Sequence, residues 1–304
     1  MHDLIIVGGG PAGVAAGIYA ARQKLNTLLV TKDFGGQVAR KATAIENYPG
    51  FVSISGSELF QKFEEHLRLQ EMEIKKDKVV KIEKSGDSFK IFCENKEELS
   101  ARAVIVASGA DPRPLEVEGE KEFIGRGVSY CTVCDGPLFG KKTVAVIGGG
   151  DAGFEAAIFL SKISPKIYIL EYGTQIKASP QNQGLAQKTG RVEVIPSAAL
   201  KKIQGKQFVE SIIYEDKNSG EEKTLQVQGV FVEIGSSPAT AFVRDLVDFS
   251  ERDEIKINFE TCQTKTPGLF AAGDVTEVKE KQIVVAAGQG TTAALRAYQY
   301  LNKI

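Results

Sequence analysis

The chain has 304 residues, 42% hydrophobic and 25% charged, with a formal net charge of −1. That balance suits a globular protein with a sizeable core and gives no electrostatic ground for a nucleic-acid or anionic-membrane partner. Four cysteines, Cys93, Cys131, Cys134 and Cys262, are too few for a secreted disulfide scaffold, and two histidines, His2 and His66, leave no material for a histidine triad or a multi-histidine metal site.

Residues 4–7 read as a short apolar strand, followed by the loop Gly8-Gly9-Gly10-Pro11-Ala12-Gly13, a helix over 14–22 and a strand over 27–30. This is a β-α-β unit with the dinucleotide fingerprint G-x-G-x-x-G at Gly8, Gly10 and Gly13. The glycines let the backbone turn tightly and approach a pyrophosphate, and the helix N-terminus offers unpaired N–H groups to that anion. The apolar run 4–21 is not read as a signal or membrane segment, because no basic region precedes it and the Gly–Pro cluster would break a helix near its middle. With the chain starting in a strand, no fused N-terminal module is expected, and the expected location is cytoplasmic. Residues 57–71 carry an amphipathic helical pattern, and 79–83 and 88–93 alternate like strands of a small antiparallel layer. The apolar strand 103–107 ends in Ser108-Gly109-Ala110-Asp111-Pro112.

The hexapeptide Cys131-Thr132-Val133-Cys134-Asp135-Gly136 follows, and then the first pattern repeats. A strand over 143–147 leads into Gly148-Gly149-Gly150-Asp151-Ala152-Gly153, a helix over 154–161 and a strand over 166–170. Strands at 209–214 and 223–227 flank a Lys217-Asn218-Ser219-Gly220 turn. The strand 229–234 ends in Gly235-Ser236-Ser237-Pro238, a third such strand over 268–272 ends in Gly273-Asp274, and 283–301 is a long helix. That last strand lies beyond the second unit and has no fingerprint of its own. The economical solution is an α/β fold of two Rossmann-like, three-layer β/β/α nucleotide-binding domains, the second inserted in the first: 1–110 with 241–304, and 111–240.

Two cysteines three apart can close into a small, reducible disulfide. Half of a zinc site is an alternative, though Cys93 and Cys262 supply no second C-x-x-C. A structural disulfide and two inert thiols are the others. The acid that usually ends the second strand of a dinucleotide unit is replaced in the first unit by Thr31, with Lys32 and Asp33 after it. The second unit has Glu171 at the expected place, either to bind a ribose diol or as a solvated strand end.

The Gly8 to Gly13 loop, Gly35-Gly36-Gln37, Glu46-Asn47-Tyr48-Pro49-Gly50, the Cys131 to Gly136 hexapeptide and Ala271-Ala272-Gly273-Asp274 together carry a resemblance to the bacterial low-molecular-weight thioredoxin reductases, over essentially the whole chain. Through Cys134-Asp135-Gly136-Pro137-Leu138-Phe139, and Lys281-Gln282-Ile283 followed by Gly288-Gln289-Gly290, the chain is also similar to the C-terminal part of the alkyl hydroperoxide reductase flavoprotein subunit. The resemblance implies FAD in the first domain, its pyrophosphate on Gly8, Gly10, Pro11, Ala12 and Gly13 and its ribose near Thr31. Gly36, Gln37, Asn47, Val80, Ser108, Gly109, Asp274, Lys281, Gln282 and Ile283 are the other implied contacts. The helix after Gln282 would aim its positive end at the flavin ring. Asp274 has the alternative of a strand-end turn residue, and Asn47 that of ordinary turn chemistry.

The same resemblance puts a pyridine nucleotide on Gly148, Gly150, Asp151, Ala152, Gly153, Glu171 and Gly235. Members that prefer NADPH show a His-Arg-Arg cluster and a following arginine where this chain has Glu171-Tyr172-Gly173 and Lys177-Ala178, so NADH is expected. Cys134 would lie nearer the flavin, Cys131 would attack the partner, and Asp135 would act as general acid and base, unless it is a plain Asp-Gly turn. The implied activity is a flavin-dependent disulfide reductase that passes electrons from NADH through FAD and Cys131–Cys134 to a thioredoxin- or glutaredoxin-like protein. The implied assembly is a homodimer, with the inserted domain rotating about linkers at 111–115 and 236–241. No metal is expected. The rival readings are the same flavoenzyme fed by ferredoxin and a non-catalytic flavin- or NAD-binding redox sensor.

Overall fold

In the computed structural model, which describes residues 1–42 and 45–303, the chain opens with β1 (His2–Gly9), α1 (Pro11–Arg22), β2 (Thr27–Phe34), α2 (Gly36–Lys41), α3 (Gly56–Arg68), β3 (Glu73–Lys76), β4 (Val79–Ser85), β5 (Ser88–Cys93), β6 (Glu98–Val106) and β7 (Ala110–Pro112). It continues through β8 (Val128–Ser129), α4 (Thr132–Asp135), β9 (Val144–Ile147), α5 (Asp151–Leu160), β10 (Ile167–Leu170), α6 (Pro180–Lys188), β11 (Val192–Ile195), β12 (Ala198–Gly205), β13 (Val209–Asp216), β14 (Glu221–Gln226), β15 (Gly229–Val232) and β16 (Ser236–Pro238). It closes with β17 (Leu269–Ala271) and α7 (Ile283–Asn302). Two compact units result, Met1–Asp111 with Ser237–Ile304, and Pro112–Ser236. The second crossing thus falls within β16 rather than after Thr240.

In the first unit the strand order is β3-β2-β1-β6-β5-β4, with β17 also paired to β6. β1 runs parallel to β2 and to β6, setting Ile5 against Leu28 and Val104. Leu4, Ile5 and Ile6 are all fully buried, as expected of a strand covered on both faces. β6 serves two sheets in one: near its start it pairs antiparallel with β5, Phe89 opposite Ala101, and near its end parallel with β17, Val106 opposite Ala271. The antiparallel strands read at 79–93 are therefore continuous with the parallel sheet instead of standing apart. α1 starts with Pro11, whose missing N–H costs nothing at that position. α7 lies against α1 so closely that a Cβ at Gly290 would sit 2.0 Å from the Ala12 carbonyl oxygen.

The second unit repeats the plan with a parallel sheet ordered β11-β10-β9-β15-β8 and a separate antiparallel sheet β12-β13-β14. Side chains of β9 alternate between two cores, Val144 and Val146 packing with Phe154 and Phe231, Ala145 and Ile147 with Ile203, Ile212 and Val230. The turn read at Lys217 to Gly220 joins β13 to β14, closed by the Gly220 N–H on the Asp216 carbonyl at 2.7 Å. Among the described residues no helix is long and apolar enough to cross a membrane.

Candidate active site

Cys131 and Cys134 are joined in a disulfide, S–S 2.09 Å, at the head of α4 in the second unit. Cys131 is the N-cap residue, and its sulfur accepts the Cys134 N–H at 3.3 Å. The N–H that this sulfur accepts favours a thiolate once the bond opens. Asp135 ends the same turn. Burial pushes its carboxyl up, while the Ser129 hydroxyl, donating at 2.6 Å, pulls it partly back. Ser129 also accepts the Cys131 N–H at 3.1 Å, so a single side chain orients both the cysteine and the acid. Upstream, Glu120 is 1% exposed and accepts N–H groups of Leu115 and Glu116 at 2.7 and 2.8 Å, together with the Tyr130 hydroxyl. Cys93 and Cys262 are buried and separate; burial pushes the Cys262 thiol up to about 11.

The first glycine loop is shaped for close approach. A Cβ at Gly13 would lie 1.8 Å from the Gly8 carbonyl oxygen, and one at Gly8 2.2 Å from that of Ala107, which also draws Ser108 to the loop. In contrast, a Cβ at Gly10 or Gly36 would meet nothing within 4 Å. The loop is packed from behind and open in front, and no side chain caps α1. That shape fits a pyrophosphate, and with it the FAD implied by the sequence. Residues far apart in the chain converge nearby. Gln37 donates to the Asp274 carboxylate at 3.2 Å and Asn47 to the side chain of Gln282 at 3.2 Å; Gln282 stands at the N-terminal boundary of α7, its side chain making no bond to the helix. Burial pushes Asp274 up, against opposing pulls from Lys281 and Gln37.

Other residues of the expected FAD set are differently engaged. The Lys281 ammonium spends its protons on the carbonyls of Asp274 and Thr276, at 3.0 and 2.5 Å, and on Glu254 at 2.8 Å. Thr31 turns its hydroxyl to the Asp33 carbonyl at 2.6 Å, and Ser108 donates to that of Ala239 at 2.7 Å. Gly109 holds a positive φ of 70°, Val80 is exposed on β4, and Ile283 packs on Ile45, Ile54 and Leu59.

The second loop repeats the first. A Cβ at Gly153 would be 1.9 Å from the Gly148 carbonyl oxygen, whereas one at Gly150 would meet nothing within 4 Å. Glu171 accepts the Gly149 N–H at 2.6 Å and the Gly173 N–H at 2.7 Å, so its carboxylate is held at the loop. Thr31 occupies the matching place in the first unit, its hydroxyl 2.7 Å from a Cβ built on Gly9. Asp151, followed by Ala152 in α5, accepts the Ser179 N–H and the Asn182 amide, both at 2.8 Å, and Gly235 has a φ of 91°. Sequence reasoning did not single out Ser129, Glu120, Glu254 or Glu233.

Residues 2–290 match the pyridine nucleotide-disulphide oxidoreductase family. The chain is 40% identical over 301 residues to the F subunit of alkyl hydroperoxide reductase from Staphylococcus aureus (strain NCTC 8325 / PS 47); the match takes in 99% of this chain but 59% of that protein, so the chain spans about three fifths of the length of the curated relatives it matches. Among solved structures, thioredoxin reductase from Streptococcus pyogenes MGAS5005 aligns with a TM-score of 0.94 at 36% identity, over 100% of this chain and 99% of its own. Thioredoxin reductase from Giardia duodenalis aligns with a TM-score of 0.94 at 33% identity, over 99% of each chain.

Proposed function

Because the chain belongs to the pyridine nucleotide-disulphide oxidoreductase family and is a thioredoxin reductase-like flavin disulfide oxidoreductase, we propose that it passes electrons from NADH through FAD and the Cys131–Cys134 pair to the disulfide of a thioredoxin- or glutaredoxin-like protein. The observation that carries this reading is the Cys131–Cys134 disulfide capping a helix beside the half-buried Asp135, in a unit with its own dinucleotide loop. FAD is assigned to the first unit, on the loop from Gly8 to Gly13 with Gln37, Asn47, Asp274 and Gln282 around it, and the nicotinamide nucleotide to the second, on Gly148 to Gly153. Bound there, FAD supplies a two-electron carrier between a nicotinamide and a disulfide.

The chain's residues then do the rest. In the reduced pair, the Cys131 thiolate is favoured by the Cys134 N–H. It attacks one sulfur of the partner's disulfide and forms a mixed disulfide. The partner's other sulfur leaves and takes a proton from Asp135. Cys134 next gives its proton to Asp135 and attacks the Cys131 sulfur; the second partner sulfur leaves and takes that proton, and the Cys131–Cys134 bond is restored. Glu171, fixed by two N–H donors, keeps acceptor capacity for a ribose diol and would repel a 2′-phosphate. NADH is the donor on this ground.

Anaerobic mixing with NADH, NADPH and reduced ferredoxin, side by side, tests the donor. Rapid flavin bleaching by NADH is expected, and bleaching by ferredoxin alone would overturn the assignment. NADH-driven turnover of a thioredoxin-like disulfide protein tests the route. Cys134→Ser should lose that turnover yet keep its FAD, and a variant that still reduces the partner would refute the electron path.

A further inference from the structure

Glu233 is a largely buried acid that no step above uses. It follows β15 directly, and its carboxylate accepts the Thr132 hydroxyl at 2.7 Å across 101 residues of sequence. Thr132 is the first residue between the two cysteines and opens α4; it is 6% exposed, and its N–H also donates to Glu233. The main chain of Glu233 is equally fixed. Its N–H donates to the Ile147 carbonyl at 2.9 Å, and its own carbonyl oxygen would be 2.5 Å from a Cβ on Gly148. The backbone of this residue touches the first glycine of the nucleotide loop while its side chain holds the dithiol helix.

The internal repeat shows that the fold does not demand an acid here. In the first unit the corresponding residue is Ala107, whose N–H donates to the Val7 carbonyl at 2.8 Å and whose carbonyl oxygen would be 2.2 Å from a Cβ on Gly8. The strand end and the glycine contact are the same, and alanine satisfies both. Burying a carboxylate is costly, so its presence in the second unit calls for a partner, and the partner is Thr132. Burial pushes the Glu233 carboxyl up to about 7; the hydrogen bonds from Thr132 oppose this, and Glu155 adds to it. Thr132 on α4 and Glu155 on α5 are the groups that face it, while Asp135 is turned to Ser129.

Resting on the reading of Cys131–Cys134 as the redox pair, we propose that Glu233 is a positioning residue for the dithiol: through Thr132 it holds the head of α4 and sets how the two sulfurs share protons once their bond is open. Opening the bond consumes two electrons and two protons and yields two thiols; the electrons come from the nicotinamide by the route above. Loss of one of those protons leaves the thiolate that attacks the partner. An ionised Glu233, bonded to the residue next to Cys131, opposes negative charge on that thiolate, and a neutral Glu233 does not. Glu233 gives no atom to sulfur; only its own proton comes and goes.

The test is alkylation of the reduced pair. The full-length protein is reduced with dithiothreitol, freed of reductant anaerobically, and treated with iodoacetamide between about pH 5 and about pH 10, with modified Cys131 quantified by peptide mass. In the wild type, the rise of rate with pH should show an inflection near 7, where Glu233 ionises and holds thiolate formation back. Glu233→Gln should lose that inflection and react several-fold faster above it, whereas Asp135→Asn should keep it. Thr132→Val retains the acid but removes its hydroxyl donor, and should move the inflection to higher pH. The proposal is overturned if Glu233→Gln keeps both the inflection and the wild-type rate, or if Asp135→Asn removes it. Should Glu233→Gln fail to fold, an unmoved inflection in Thr132→Val overturns it equally. Failure of the electron route reads differently: the pair would then be alkylated after dithiothreitol but not after anaerobic NADH with bound FAD, and the dithiothreitol arm would still decide the role of Glu233.

Discussion

Asp135 and Glu233 are both carboxyls raised by burial near one disulfide, but their neighbours give them different tasks. In the proposed route Asp135 holds a proton and gives it to a leaving thiolate, so turnover should fall as pH rises through its titration. Ser129→Ala removes the donor that stabilises its charged form and should move that alkaline limb to higher pH. Asp135→Asn should cost turnover on the order of a hundredfold or more; steady-state pH profiles measure both. Glu233 makes a stability statement. Its folded carboxyl sits at about 7 against an ordinary 4.5, so the native state binds the proton more tightly than the unfolded chain. That contribution is complete below pH 4.5 and is lost as pH rises through about 7. Glu233→Gln should therefore gain on the wild type as pH rises, by up to about 3 kcal/mol, read from urea unfolding on either side of neutrality; a pH-independent difference would refute the assignment. The cysteine pair and the acid after it were legible because they are local in sequence. Ser129 and Glu233 were not, because a serine before a cysteine and an acid after a strand carry no signal until the chain folds. Aligning the two repeats, Ala107 against Glu233, is the comparison that would have exposed the second.

At the scale of elements, the two glycine loops separate packing from ligand approach. A Cβ at Gly13 collides with the Gly8 carbonyl, so Gly13→Ala should destabilise the first unit by about 2 kcal/mol or more. A Cβ at Gly10 meets no protein atom, so Gly10→Ala should keep the wild-type urea midpoint when both proteins are free of flavin. It should nevertheless weaken FAD retention at least about tenfold, or about 1.4 kcal/mol, measured as flavin released on dilution. Equal losses of stability in both variants would mean that the open side of the loop is not a ligand side. The β-α-β units were legible from apolar runs joined to glycine loops. β3 and β11 were missed because they are short edge strands, Glu73-Ile74-Lys75-Lys76 and Val192-Glu193-Val194-Ile195, with few buried side chains to leave a pattern. α6 could have been read from Ser179 and Pro180, since the serine caps the Asn182 N–H at 3.3 Å and proline takes the first helical position.

The whole molecule consists of two units that each own a core and a glycine loop, with one chain segment nested in the other. The nesting was legible because a fingerprint-free strand, β17, follows the second unit and needed a sheet to join; it joins β6. The central claim is that electrons given to a flavin on the first unit reach Cys131–Cys134 on the second. Anaerobic titration of the FAD-loaded protein with NADH tests it most directly, because flavin and disulfide each accept an electron pair. The wild type should consume about two NADH per bound FAD and Cys134→Ser about one. A wild type that stops at about one, its two sulfurs still bonded, would contradict the account.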